Sequence, residues 1–167
     1  MAVDVQLVRA LRDQTGAGIM DCKEALEKSD GDMEKATQAL REKGVASAGK
    51  RVGKDTNEGV IETYLHTGGR VGAMVELGCE TDFVARTEEF QQLAHDIAMQ
   101  VAAMGPVYID KDESEDGDTR SPAQISLMQQ PFIKNGSSSV GERVTELAGK
   151  VGENIRVVRF TRLAVGE

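Results

Sequence analysis

Three sets of residues in this chain carry side chains that chemistry could use. Cys79 could act as a nucleophile if His66 or His95 drew off its proton, the arrangement of a Cys-His hydrolase, and the same three could ligate a metal. Neither histidine stands at a usual ligand spacing from the cysteine. Glu80 beside Cys79 makes an acidic neighbourhood, which raises a thiol pKa and weakens the nucleophile. The carboxylates Glu80 and Asp82, or Glu88 and Glu89, could do acid–base work, yet acidic residues are abundant here and nothing singles out a reacting pair. Gly16-Ala17-Gly18 and Gly68-Gly69 match neither of the glycine-rich phosphate-binding patterns and read as turns. Cys22 is most simply a small packing residue. We expect no catalytic residue, no metal site and no cofactor.

The segment Gly78-Cys79-Glu80-Thr81-Asp82-Phe83-Val84-Ala85-Arg86 is different in kind. It joins a buried-looking strand to a helix and sets a bulky aromatic beside an acid where the chain should be near the surface. Loops held by a rigid scaffold are favoured binding positions, and an exposed Phe can fill a pocket on a partner. A second reading stands beside this one. If one helix ran unbroken from Thr81, Phe83 and Phe90 would share a face at a spacing of seven, and both could be core.

The elements that must position this turn follow from periodicity and punctuation. Asp4 can cap a first helix with Leu7, Val8 and Leu11 on its face, stopped at Thr15-Gly16-Ala17-Gly18. Asp21 with Glu24 suggests a capping box opening a second helix; Asp32 caps a third, ending at Gly44. Three short amphipathic helices can bury their faces only against one another, so residues 1–44 form a three-helix bundle. The small, polar stretch 45–56 reads as a linker, into which the third helix could extend before fraying. Alternating runs at 60–65 and 71–77 around Gly68-Gly69 indicate a β-hairpin. Phe90, Leu93, Ala94, Ile97 and Val101 mark a long helix ended by Gly105-Pro106.

Val107-Tyr108-Ile109 is a candidate short strand, and the acidic loop 110–120 a solvated one. Ser121-Pro122 opens a short helix through Met128, and Ser139 with Glu142 caps another. Residues 155–163 form a strand with apolar residues on both faces, which suits the middle of a sheet. The fold class is α+β: a helical bundle, then a core of 57–167 with a small antiparallel sheet packed by helices.

Charge narrows the partners. The chain carries a net charge of −8, and residues 57–109 hold two basic against eight acidic side chains. An acidic body cannot neutralise phosphates, so neither nucleic acid nor an anionic membrane is expected as a partner. Two cysteines far apart suggest free thiols in a reducing compartment, and no apolar run approaches a membrane span. A cytoplasmic protein is expected.

Four runs resemble one family: 11–26 (LRDQTGAGIMDCKEAL), 75–85 (VELGCETDFVA), 130–134 (QPFIK) and 151–160 (VGENIRVVRF). They look like the signatures of bacterial elongation factor Ts, in the family's order, and are spread along the chain on both sides of the acidic loop. The resemblance implies that the bundle is ubiquitin-associated-like. It also implies exchange of GDP for GTP on the translational GTPase elongation factor Tu, which is not enzymatic chemistry. Residues matching Asp82 and Phe83 would wedge between helices of the GTPase domain, with Thr81 and Val84 framing them, disturbing its Mg²⁺ and phosphate site. The bundle, through Leu11, Arg12, Thr15, Gly16, Ala17, Gly18, Ile19 and Met20, would make a second contact. The C-terminal part would touch another domain of the GTPase. There is room for one core unit, as in the family's short forms, which implies a homodimer and a two-to-two complex. The rival reading is an adaptor that grips a protein through the bundle without affecting nucleotide.

Overall fold

The computed structural model describes residues 4–113 and 119–167 of the chain. Helix α1 (Val5–Thr15) is capped by the Asp4 side chain, which accepts the Gln6 N–H at 2.8 Å. Helix α2 spans Ile19–Lys28 and α3 spans Met33–Gly49, the latter capped by Asp32. Their inward faces meet in one cluster that includes Leu11, Cys22, Leu26, Ala36 and Leu40. Leu11 and Leu26 are fully buried, each contributing about 2 kcal/mol of apolar transfer.

Two expectations for the bundle are corrected. The second helix begins at Ile19, with Gly18 as its N-cap and no side-chain cap. Asp21 opens no helix; its carboxylate takes Lys43 Nζ at 2.8 Å and ties α2 to α3. The third helix does not stop at Gly44 but takes the extension the sequence allowed and ends at Gly49, so the first part of the stretch 45–56 is helix and not linker. Gly44 serves a close approach instead of a stop.

The core follows. Strands β1 (Glu58–Leu65) and β2 (Val71–Cys79) form the expected hairpin, followed by a single turn, α4 (Asp82–Ala85), and the long α5 (Glu88–Met104). Helix α6 is Pro122–Ile125, then β3 (Pro131–Phe132) pairs with β4 (Asn135–Ser139), leading into α7 (Val140–Val151) and β5 (Arg156–Ala164). A three-stranded antiparallel sheet runs in the order β1-β2-β5. Its inner face, with Val75, Leu77 and Val157, packs with Phe90, Ile97 and Val140 of α5 and α7 into the main core. The expected α+β architecture holds, with seven α-helices among the described residues. No helix among them is long and apolar enough to cross a membrane.

The final strand is at the sheet's edge, not its middle; β2 is central. The apolar residues on both faces of β5 leave Leu163 on an open outer face, 76% exposed, in line with Thr161 and Arg159. Tyr108 makes only an isolated bridge to Ser126. The helix from Pro122 ends at Ile125, and a 3₁₀ turn at Leu127–Gln129 replaces its continuation. Of the acidic loop, Lys111–Glu113 form a 3₁₀ turn, while 114–118 lie outside the described residues.

Bundle and core meet where α3 crosses α7 at a pair of glycines. A Cβ on Gly149 would stand 2.5 Å from the Gly44 carbonyl carbon and 2.6 Å from its oxygen. Both are backbone atoms, so the helices would have to separate. Gly149→Val is therefore expected to lower stability by about 2–3 kcal/mol through overpacking, read as a lower urea midpoint. Gly49→Ala is the control: nothing lies within 4 Å of its Cβ, so the helix-propensity gain of up to about 1 kcal/mol goes unopposed.

Candidate functional site

The turn after β2 is built by breaking a helix. Thr87 caps α5, its hydroxyl accepting the Phe90 N–H, and α4 ends at Ala85. The break turns the two phenylalanines apart. Phe90 is fully buried, whereas Phe83 is 80% exposed. The unbroken-helix reading is thereby set aside. Asp82 also faces out, paired to Arg86 Nη2 at 2.8 Å, while Val84 and Ala85 are buried and root the turn in the core.

A single helical turn cannot hold itself, because nucleation fixes several dihedrals for one hydrogen bond. The support is tertiary. Glu153 Oε2 accepts the N–H groups of Glu80 and Thr81 at 3.1 and 3.0 Å, and its Oε1 accepts the Thr81 hydroxyl at 2.6 Å. Glu80 answers in the other direction, accepting the Asn154 N–H at 2.6 Å. Arg51 Nη1 reaches both Glu80 oxygens at 3.1 and 3.0 Å. Asn154, buried, donates its amide to the Lys54 carbonyl at 2.8 Å. The Asn154 N–H, and after it the Arg51 guanidinium, hold the Glu80 carboxyl below the usual range against the opposing effect of burial. These supports went unrecognised in the sequence. Glu153 and Asn154 lie within a family-like run but about 70 residues from the turn, with no local pattern joining them to it.

The chemical alternatives find no geometry. Burial first, and the Glu153 carboxylate second, push the Cys79 thiol up to about 11, and its S–H donates to the Thr81 carbonyl at 3.1 Å. His95 Nδ1 is paired with Glu62 at 3.1 Å, and His66 Nδ1 with the Tyr64 hydroxyl at 3.1 Å. Among the described residues no group of three or more His, Cys, Asp or Glu side chains is placed to hold a metal. Both cysteines are free and buried.

The second candidate surface is the α1–α2 loop. Gly16 adopts a left-handed φ of 68°, which favours glycine, and donates to the Arg12 carbonyl at 2.7 Å. Thr15 turns its hydroxyl back to the Leu11 carbonyl at 2.7 Å and takes the Ala17 N–H at 3.3 Å. Arg12, Gly16, Gly18, Ile19 and Met20 are exposed, Met20 at 70%. Leu11 is corrected: it is fully buried in the bundle and supports the loop from beneath. Lys150 of α7 lies against Gly16 and pairs with Glu89. Residues 149–154 thus touch both surfaces, Lys150 at the loop and Glu153 at the Phe83 turn.

Residues 15–120 match the family model described as Elongation factor TS. The chain is 44% identical to elongation factor Ts of Carboxydothermus hydrogenoformans, over 97% of this chain and 88% of the relative. It is 43% identical to that of Thermotoga petrophila, over 100% and 98%. A Synechococcus protein (strain WH7803) of the same name is 45% identical over 99% and 90%. These matches place the chain among the translation elongation factors. It belongs to the elongation factor Ts family.

Proposed function

We propose that this chain is a guanine-nucleotide exchange factor for elongation factor Tu and performs no covalent chemistry itself. One observation carries the reading. Of the four phenylalanines, Phe90 and Phe132 are buried, Phe160 packs on the core, and Phe83 alone is left 80% exposed on a turn pinned from two sides. An aromatic on a rigid turn is preorganised to enter a pocket, because little conformational freedom is lost on docking. Asp82 and Phe83 enter between helices of the GTPase domain and displace the groups around Mg²⁺ and the phosphates. Thr81 and Val84 fix the turn, and the loop from Arg12 to Met20 makes the second contact. The C-terminal part reaches another domain of the GTPase.

Exchange needs only that this chain bind the nucleotide-free GTPase better than the loaded one. Partner and nucleotide then weaken each other by the same factor. A 10⁴-fold effect requires roughly 5.5 kcal/mol of differential affinity. An aromatic anchor together with a disturbed metal site is of that order.

The factor also works as a homodimer, joined through the outer face of its sheet, in a two-to-two complex. On that face Leu65, Gly72 and Leu163 stand in one row, Thr63, Met74 and Thr161 in the next, and Ile61, Glu76 and Arg159 in the third. Ile61, Leu65, Met74 and Leu163 are all exposed, the last three around a groove of about 420 Å³ at Gly72. Glu76 and Arg159 neutralise each other at 2.6 Å. A chain of net charge −8 can meet its own copy most easily on such a neutral face.

The test is labelled-GDP release from purified elongation factor Tu. Release is expected to accelerate with added chain and to saturate. Binding without acceleration would sink the exchange reading and leave the adaptor.

A further inference from the structure

The hydrogen bonds around the Phe83 turn are unequal in what they control. Val84 and Ala85 anchor the far end of α4 in the core, and Arg51 and Asn154 hold Glu80 through its side chain. The backbone leading into Asp82 and Phe83 is held by Glu153, which takes the N–H groups of both Glu80 and Thr81. Thr81 occupies the N-cap of α4, yet makes no side-chain cap; its hydroxyl is turned to Glu153 at 2.6 Å. Phe83, at 80% exposure, has almost no packing of its own to settle where its ring points. The direction of the ring is therefore inherited from the backbone at 80–82.

Glu153 is itself well placed to transmit a fixed position. Helix α7 ends at Val151, and Gly152 turns the chain with a left-handed φ of 73° before β5 begins at Arg156. Asn154, the next residue, is buried and tied to both the Lys54 carbonyl and Glu80. Glu153 thus projects from a short segment fixed at both ends. Reciprocal carboxylate-to-amide bonds, Glu80 to residue 154 and Glu153 to residues 80 and 81, prevent one strand end from sliding against the other. Bonds of this charge-assisted kind are short and directional, which suits them to setting an angle.

We propose that Glu153 is a positioning residue for nucleotide exchange: it aims Phe83 at the GTPase without touching it. This rests on the wedge reading of Phe83. Because a displacement of about 1 Å at a reacting contact can cost on the order of a hundredfold in rate, loss of the three bonds affects exchange beyond any effect on folding.

The experiment measures labelled-GDP release from elongation factor Tu at rising concentrations of Glu153→Ala, Glu153→Gln, Phe83→Ala and the double variant Glu153→Ala/Phe83→Ala. Amide hydrogen exchange at Glu80 and Thr81 in the free chain is followed in parallel. Glu153→Ala should lower the maximal release rate about tenfold or more and speed amide exchange at both positions. Glu153→Gln should restore both to within about twofold, since one amide oxygen can accept both N–H groups and the NH₂ can donate to the Thr81 hydroxyl. In the Phe83→Ala background, Glu153→Ala should add less than about twofold, the signature of acting through the same residue.

Should Glu153→Ala fail to fold, Thr81→Val removes one of the bonds at nearly constant shape and should give a smaller loss, again absent without Phe83. A wild-type rate for Glu153→Ala beside a slow Phe83→Ala overturns the positioning role alone. So does a full additional loss in the double variant, or a Gln variant as slow as Ala, which would mean that Glu153 acts by its charge. A wild-type rate for Phe83→Ala overturns the wedge, and the positioning role with it.

Discussion

Phe83→Ala is expected to reduce the acceleration of GDP release roughly 30- to 140-fold while leaving the folded chain about as stable as before. The magnitude follows from an anchor side chain at the centre of an interface, whose truncation costs about 2–3 kcal/mol, where 1.4 kcal/mol is tenfold. Unchanged stability follows from exposure. At 80% exposure Phe83 buries little in the free chain, and surface truncations usually fall within about 0.5 kcal/mol. Phe90→Ala is the opposite case. Fully buried against the sheet, it should cost about 3–5 kcal/mol of stability and affect exchange only as far as the fold is lost. Two phenylalanines seven residues apart thus separate along independent axes, one read by GDP release and the other by chemical denaturation. A Phe83→Ala variant that exchanges at the wild-type rate with its fold intact would remove the wedge.

That contrast also shows where sequence reading runs out. A spacing of seven is compatible with one helical face, and only the cap at Thr87 breaks the helix between the two aromatics. Caps of local origin were legible: Asp4, Asp32 and Ser139 with Glu142 all act within a few residues, so chemistry and spacing coincide in the chain. The hairpin was legible for the same reason, since a period of two and a Gly-Gly turn are adjacent facts. Gly44 misled because a glycine has two uses. It can end a helix or admit another helix, and the second depends on Gly149, more than 100 residues away. Asp21 misled similarly, since its partner Lys43 lies on another helix. The exposed turn itself could be located as a candidate from residue types. Its scaffold of Glu153, Glu80, Arg51 and Asn154 is wholly long-range, and only the fold brings those residues together.

Strand β5 presents the same difficulty. Apolar residues on both faces suit a central strand, but they equally suit an edge strand whose outer face is covered by another copy. Leu163→Asp distinguishes the two uses. In an isolated chain this side chain is 76% exposed, so an aspartate there is solvated and stability should change by less than about 0.5 kcal/mol. At a self-complementary interface the two-fold axis doubles every change, and each new carboxylate is buried among Leu65, Gly72 and their copies, with Arg70 on the same groove. Burying a charge there costs a few kcal/mol, enough to weaken association on the order of a hundredfold. Light scattering should therefore show the wild-type chain at twice 18.0 kDa and the variant at 18.0 kDa. Glu76 and Arg159 neutralise each other, so reversing Glu76 to Lys leaves two uncompensated cations per copy on this face and should weaken the pair as well. A wild-type chain that scatters as a monomer at all concentrations would reject the dimer. A Leu163→Asp variant that keeps its doubled mass but binds elongation factor Tu more weakly would reassign the face to the GTPase. Both outcomes are open to this face, because four large apolar side chains gathered together form the kind of patch that marks an interface.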